Sequence, residues 1–270
     1  MIRVAGHFGE LLQGRLGGSG PVVLVTLPCP ALGVTARQSP CAQFSLHNAG
    51  QRLLSPARAR GFLASLGLPV RNRHVLRAQM PAGGGAGAST AALVALALQA
   101  GWQGAPERLA RACLAAEGAS DPLMFADPSQ RLWASRAAQT LARLPPLPRF
   151  EVIGGFFGPC QRTDARDNRF ADIADLIPDW TAAAAQGDLP RLAALASLSA
   201  NRNGGLRGGA QIAALASLAA DLGALGHVIA HTGAARGLIF ARGQIPAHAR
   251  AALIGAGARQ VVQFPAGGGL

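Results

Sequence analysis

The sequence predicts an α+β protein built in two halves, and three features of the chain carry that reading. Strand-like valine-rich segments interleave with helix-like alanine- and leucine-rich ones, without the strict alternation of a parallel α/β sheet. A proline-rich break, Leu144-Pro145-Pro146-Leu147-Pro148, lies between the two sets. Adjacent prolines cannot continue a helix or a central strand. A length of 270 residues also suits one large domain or two smaller ones, each with a buried core. We therefore expect an N-terminal domain over 1–145 and a C-terminal domain over 146–270.

The elements follow in order. Residues 2–5 read as a strand, and His7-Phe8-Gly9-Glu10 as a polar turn. Residues 21–26 read as a second strand by their valines, and 43–47 alternate weakly as a third. A helix over 56–66 stops at Gly67-Leu68-Pro69, and 75–78 form a short strand. Next comes the glycine-rich turn Pro81-Ala82-Gly83-Gly84-Gly85-Ala86-Gly87-Ala88-Ser89-Thr90, running into an apolar helix over 89–100 that stops at Gly101. A helix over 106–117 closes the first half. In the second half, 150–154, 226–230, 237–241 and 259–264 read as strands, with turns at 155–159 and Gly233. Helices are expected over 190–199, 211–222 and 247–254; the Ala182–Ala185 run is too short to count as more than helix-forming sequence.

The glycine turn is the first functional candidate. Without bulky side chains its backbone can approach a ligand, and the helix start behind it offers unpaired N–H groups and a positive dipole end, a geometry suited to phosphate. It also fits a plain tight connection. A Walker A loop is excluded: Ala88 precedes Ser89, and the chain has no lysine. A dinucleotide fingerprint fails too, because Ala88 and Thr90 stand where its third glycine would be.

Composition bounds the rest. A net charge of +12 favours anionic partners such as nucleotides, or less specifically RNA. The arginines are dispersed and aromatics are few, which argues against a dedicated nucleic-acid surface. Cys29, Cys41, Cys113 and Cys160 are far apart and read as reduced thiols of a cytoplasmic protein. Glu10 interrupts the only early apolar stretch, so no signal peptide is expected. Apolar runs over 21–27 and 91–98 fall well short of the ~20 residues that span a bilayer.

A lysine-free phosphate loop needs another cation, normally Mg²⁺ on oxygen ligands. Glu117 and Asp121 stand four apart beside a helix break. Glu117 at a helix end and the Ser89 hydroxyl can ligate Mg²⁺, and Asp121 can act as general base. The same residues also fit a solvated helix position and a turn cap. His227 and His231 read as strand residues too far apart to chelate, and Asp164 and Asn201 as polar turn residues.

Read together, these segments resemble the GHMP kinases (galactokinase, homoserine kinase, mevalonate kinase, phosphomevalonate kinase). Pro81 to Ala91 is similar to their Pro-x3-Gly-Leu-Gly-Ser-Ser-Ala signature, with Ala86 for the leucine and Ala88 for the first serine. Gly6-His7-Phe8-Gly9-Glu10-Leu11-Leu12-Gln13-Gly14 resembles the Gly-Glu-Leu-Val-Gln-Gly element of the L-threonine kinase branch. Glu117 to Phe125 resembles its Glu-Pro-Thr-Asp-x-Leu-Met-Phe element with one residue inserted. Ala230-His231-Thr232-Gly233-Ala234-Ala235-Arg236-Gly237-Leu238 resembles its Ala-His-Ser-Gly-Thr-x-x-Gly-Leu element. The four segments lie in family order over almost the whole chain.

The resemblance implies a ribosomal S5 domain 2-like N-terminal domain and a ferredoxin-like C-terminal domain. It also implies an ATP- and Mg²⁺-dependent kinase that converts L-threonine to O-phospho-L-threonine for cobalamin biosynthesis, with homoserine or another small alcohol as the alternative acceptor. Pro81, Gly83, Gly84, Gly85, Ala86, Gly87, Ala88, Ser89 and Thr90 would wrap the triphosphate. Ser89 and Glu117 would hold Mg²⁺, and Asp121 would be the base. Gly9, Glu10, His231, Thr232 and Gly233 would line the acceptor side. The chain departs from the family in lacking the N-terminal lysine that some members use; Arg3 is a nearby cation. Ala92 stands where threonine-kinase relatives often carry Asp. A basic RNA-binding protein on the same N-terminal fold is the reading from a different class.

Overall fold

The computed structural model describes residues 1–162, 164, 166–167, 169–207, 209–231 and 234–268. Ten strands and seven α-helices are assigned among them: β1 (Ile2–Arg15), β2 (Val22–Ser39), β3 (Ser45–Ala49), α1 (Pro56–Ser65), β4 (Arg73–Ala78), α2 (Ala88–Gln99), α3 (Pro106–Glu117), β5 (Arg131–Ala134), β6 (Gln139–Arg143), β7 (Phe150–Phe156), α4 (Leu176–Gln186), α5 (Leu189–Gly205), α6 (Ala210–Asp221), β8 (Gly226–Ile229), β9 (Ala235–Ala241), α7 (Ala249–Gly255) and β10 (Arg259–Ala266). The expected α+β class is the class observed.

One sheet runs β10-β7-β9-β8-β1-β2-β4-β3, with the β5–β6 hairpin on the far end of β2. The two sequence halves meet where β1 pairs β8, at Glu10 opposite Ile229. The 145/146 division falls between β6 and β7. The main core cluster draws on both halves. Phe8 of β1 packs edge-on against Phe156 and Phe264, with ring centroids 5.5 and 5.7 Å away. A smaller cluster of Leu24, Ala110, Phe125, Trp133 and Ala138 lies against α3 and the segment that follows it. No helix among the described residues is long and apolar enough to cross a membrane.

The strongest helical expectations arise from local signals. In α2 the residues from Thr90 to Ala97 are all buried, as befits a helix that is apolar on every side. Helix α3 begins with Pro106 in its first turn and ends at Gly118, whose φ of +77 supplies the left-handed cap and whose N–H donates to Leu114 O at 2.7 Å.

Four expectations are corrected. The His7–Glu10 turn is the middle of a continuous 14-residue strand. Its polar residues are buried where other elements pack on the strand: α2 on β1 and β2, and α5 on β1 and β8. The turn expected at 155–159 begins only after Phe156, since β7 pairs β9 through to that residue. The Ala182–Ala185 run belongs to α4, whose Trp180 is 1% exposed. The β5–β6 hairpin was not expected at all.

The local signal that suggested a turn is nevertheless present as a bulge. Gly9 has φ +71, and the β1–β2 register shifts between His7 and Glu10. In a regular strand, residues three apart point to opposite faces; the bulge re-phases the strand so that His7 and Glu10 reach the same cluster. A Cβ at Gly9 would lie 2.8 Å from Ile229 C and 3.0 Å from Ala230 N. Gly9→Ala is therefore expected to lower the thermal midpoint by roughly 5–10 °C, through left-handed strain and collision with backbone. An unchanged melting curve would show that β1 and β8 can separate freely here.

Candidate active site

The glycine turn lies against β1. His7 N–H donates to Ala86 O at 3.2 Å and Gly9 N–H to Gly85 O at 3.3 Å, while Ala235 N–H donates to Gly84 O at 2.9 Å. The carbonyls of the turn are thus tied back to the sheet. Gly83, Gly85 and Gly87 all have φ between +67 and +77, a region that glycine enters without a Cβ penalty. At Gly87 the space is closed as well, since a Cβ would fall 2.5 Å from His7 Cδ2. No side chain caps α2 behind Gly87, so its first-turn N–H groups remain available to an anion.

A cavity of about 300 Å³ opens in front of this helix start. Ala82, Gly83, Gly85, Ala86, Gly87, Ala88, Ser89 and Thr90 line it, together with His7, Glu10, Glu117, Asp121 and His231. Pro81 and Gly84 stand behind the lining, where a Cβ on Gly84 would meet the Pro81 ring at 2.8 Å. Gly9 is likewise absent from the wall and acts through its backbone. Thr232 and Gly233 lie outside the described residues.

Two groups of acids occupy the cavity. The first is Glu117, the last residue of α3, which accepts a hydrogen bond from the Ser89 hydroxyl and stands 3.5 Å from Thr90 Oγ1. Burial pushes the Glu117 carboxyl up to about 7, only partly offset by Ser89. These donors are all oxygen and lie beside the free helix start, so they suit a hard cation such as Mg²⁺.

The second group is His7, Glu10 and Asp121. His7 Nε2 lies 3.3 Å from Asp121 Oδ2, and Nδ1 lies 3.5 Å from Glu10 Oε1 and 3.2 Å from Gly9 O. His7 and Glu10 are each 5% exposed. Burial opposes charge on His7, but Asp121 and Glu10 outweigh it and raise the imidazole to about 9. Glu10 is driven up to about 7 chiefly by its own burial. For Asp121 burial works against ionisation, and the His7 charge and hydrogen bond overcome it, holding the carboxyl below its ordinary value. The three offer ligand atoms within 4.8 Å of one another. The imidazolium already supplies positive charge between the two carboxylates.

The Asp121 segment is anchored from below. Trp133 Nε1 donates to Ser120 O at 2.6 Å, and Ser120 N–H donates to Ser135 O at 3.0 Å. The cavity lining also includes His231, stacked on Phe170 at 3.7 Å, with its Nε2 2.6 Å from Arg207 Nη2 and 3.2 Å from Asp167 Oδ2. Burial and the Arg207 charge lower the His231 imidazole to about 4, so it is neutral at physiological pH.

Three other sequence candidates are placed elsewhere. Arg3 donates to Pro30 O at 2.8 Å and Gln79 Oε1 at 3.1 Å, away from this cavity. His227 is bonded to Asn201 at 2.9 Å, so it and His231 have separate partners and form no chelate. Asp164 accepts from the Arg166 N–H at 2.9 Å, a turn cap. Sequence reasoning assigned no role to His7, although it stands inside the first motif. It passed over Arg136, Asp167, Phe170 and Arg207, which lie in no motif.

The sequence matches no protein-family model and no curated protein. Solved structures match it over nearly its full length. Mevalonate kinase of L. major, solved in complex with R-mevalonate, has a TM-score of 0.68 at 13% identity, covering 98% of this chain and 96% of that one. Homoserine kinase of Cytophaga hutchinsonii has a TM-score of 0.66 at 17% identity, covering 98% and 94%. Mevalonate pyrophosphate decarboxylase of Streptococcus pyogenes has a TM-score of 0.65 at 11% identity, covering 98% and 96%. The chain therefore has the fold of the GHMP kinases. A fold that also carries a decarboxylase leaves the reaction to be argued from the site.

Proposed function

We propose that this chain is an ATP- and Mg²⁺-dependent kinase that phosphorylates the hydroxyl of a small metabolite, with L-threonine the first acceptor and homoserine the second. One observation carries the proposal: a single cavity joins an uncapped helix start, a Ser89–Glu117 oxygen pair and an ionised Asp121 held by His7. The fold shared with mevalonate and homoserine kinases supports it. The L-threonine assignment, with its product O-phospho-L-threonine and a place in cobalamin synthesis, is supported by the resemblance of the Gly6–Gly14, Glu117–Phe125 and Ala230–Leu238 segments.

Each residue has a defined task. The first-turn N–H groups of α2 bind and orient phosphate oxygens, and Gly83, Gly85 and Gly87 keep side chains out of their way. Ser89 Oγ and the Glu117 carboxylate hold Mg²⁺, which when bound neutralises charge that develops on the phosphates. Asp121 Oδ2 faces His7, leaving Oδ1 to take the proton of the acceptor hydroxyl. His7 keeps Asp121 ionised and places a positive charge beside the reacting oxygens, the service a lysine renders in some GHMP kinases. Phe170 and His231, neutral and stacked, exclude water from the acceptor side. A phosphate-backbone surface has no use for three carboxylates in one cavity, Glu10 buried and Glu117 and Asp121 half-buried, which sets the RNA-binding reading aside.

The test is coupled ADP release with L-threonine, homoserine and mevalonate, at several Mg²⁺ concentrations. Turnover is expected with L-threonine above the others, and no turnover with any acceptor would sink the kinase reading. Glu117→Gln is expected to raise the Mg²⁺ concentration needed for half-maximal rate by roughly tenfold or more. A variant with an unaltered Mg²⁺ requirement would remove Glu117 from the metal site.

A further inference from the structure

We infer that Arg136 is the receptor for an anionic group, a carboxylate, on the phosphate acceptor, so that this site takes hydroxy acids and rejects neutral alcohols. The inference rests on the kinase reading and adds to it the residue that recognises the acceptor's carboxylate.

Arg136 lies in the turn between β5 and β6 and lines the cavity that holds Asp121. Its Nη2 reaches only two backbone carbonyls, Asp164 O at 3.3 Å and Asp167 O at 3.5 Å. Its Nε and Nη1 are covered from solvent and, among the described residues, have no hydrogen-bond partner. Among the described residues no carboxylate pairs with it, because Asp167 is taken by Arg207 at 2.8 Å and by His231. Arg131, five residues earlier, shows the contrast, with Asp127 at 2.8 Å. A half-buried guanidinium with two orphaned donors costs free energy unless an acceptor arrives to complete it, and its planar fork matches a carboxylate.

Position separates this cation from the phosphate end. Gln161, Arg162 and Phe170 of the segment that begins at Gln161 line the cavity. Its start meets the glycine turn, with Gln161 N–H on Gly83 O at 3.0 Å. Its far end carries Asp167 and Phe170, which contact His231, and it is at this end that Arg136 sits. Arg58 and Arg162 line the cavity too: Arg162 adjoins the glycine turn at Gly83, and the charge of Arg58 acts on Glu117. Arg162 also donates to Arg52 O at 2.7 Å; of the three arginines Arg136 is the one at the Asp167–Phe170 end with two donors left over, and we assign it to the acceptor. The backbone bond from Ser120 N–H to Ser135 O couples Arg136 to Asp121. A rigid link of this kind sets the distance between the hydroxyl being deprotonated and the anion that identifies the molecule.

The experiment compares L-threonine with 1-amino-2-propanol, the same amino alcohol without its carboxylate, by calorimetric binding and by turnover. Wild type is expected to bind L-threonine at least roughly 30-fold more tightly. Arg136→Met should remove that difference by weakening L-threonine alone, with 1-amino-2-propanol and ATP binding unchanged. Arg136→Lys, which keeps the charge, should restore part of it. Equal wild-type affinity for the two ligands, or discrimination that survives in Arg136→Met, overturns the inference. So does a loss of ATP affinity with acceptor affinity intact, which would assign the guanidinium to a phosphate. Turnover of neutral alcohols at full rate likewise overturns it while leaving the kinase reading standing. Carboxylate-dependent binding without ADP release would sink the kinase reading and keep Arg136 as an anion receptor. Should Arg136→Met fail to fold, Arg136→Gln is read in its place, and discrimination that survives in it overturns the inference.

Discussion

Asp121→Asn is expected to lower kcat by roughly a thousandfold or more while leaving nucleotide affinity within a factor of about two. The amide keeps the shape of the carboxylate and can still face His7, but it cannot take the hydroxyl proton. The Ser89–Glu117 pair keeps its own hydrogen bond and Asp121 its own partner in His7, so the nucleotide contacts are expected to survive the change. Single-turnover rates and ATP titration separate the two effects. Persistent turnover would show that the acceptor loses its proton elsewhere. Glu10, the next carboxylate in the cluster, would then be the group to examine.

Replacing His7 is expected to have the second largest effect. Its imidazolium is the principal reason that Asp121 is ionised despite burial. In His7→Gln the charge is gone and the burial remains, so the Asp121 pKa rises. Because the rate requires ionised Asp121, the acid limb of the kcat profile moves to higher pH. The plateau rate falls roughly a hundredfold as the charge beside the reacting oxygens is lost. On the alkaline side, wild type should lose activity as His7 deprotonates near pH 9, and this limb should vanish in the variant. His7→Lys should recover much of the rate. An unshifted acid limb in His7→Gln would mean that His7 is only a packing residue, whatever happens to kcat.

How much of this was legible in the sequence differs from element to element. Helices α2 and α3 were placed to within a residue or so, since alanine- and leucine-rich runs ending at Gly101 and Gly118 are local signals. Strand β1 was cut short because His7, Glu10 and Gln13 look like surface residues; they are buried under α2 and α5, which a single segment cannot announce. The β5–β6 hairpin escaped because its strands are short and Trp133 finds its partner in Ser120, thirteen residues earlier.

The site divides in the same way. The glycine turn, Ser89, Glu117 and Asp121 could be named because they stand in motifs. His7 stood in a motif too, yet its role depends on which strand residues share a face, and the bulge at Gly9 sets that. Arg136 carried no sequence signal. Its importance is visible only as two donors without an acceptor.

The sequence by itself determined the α+β class, the glycine turn and the helix start behind it. These follow from backbone preferences and hydrophobic periodicity, which neighbouring residues encode between themselves. The tertiary structure alone decided that His7 and Asp121, 114 positions apart, become a charged pair, that Glu117 and Glu10 hold their protons more tightly, and that Arg136 lines the same cavity with two donors that find no acceptor among the described residues. The physical reason is that charge state and pairing depend on burial and on distances of a few ångströms, and only the folded chain sets those.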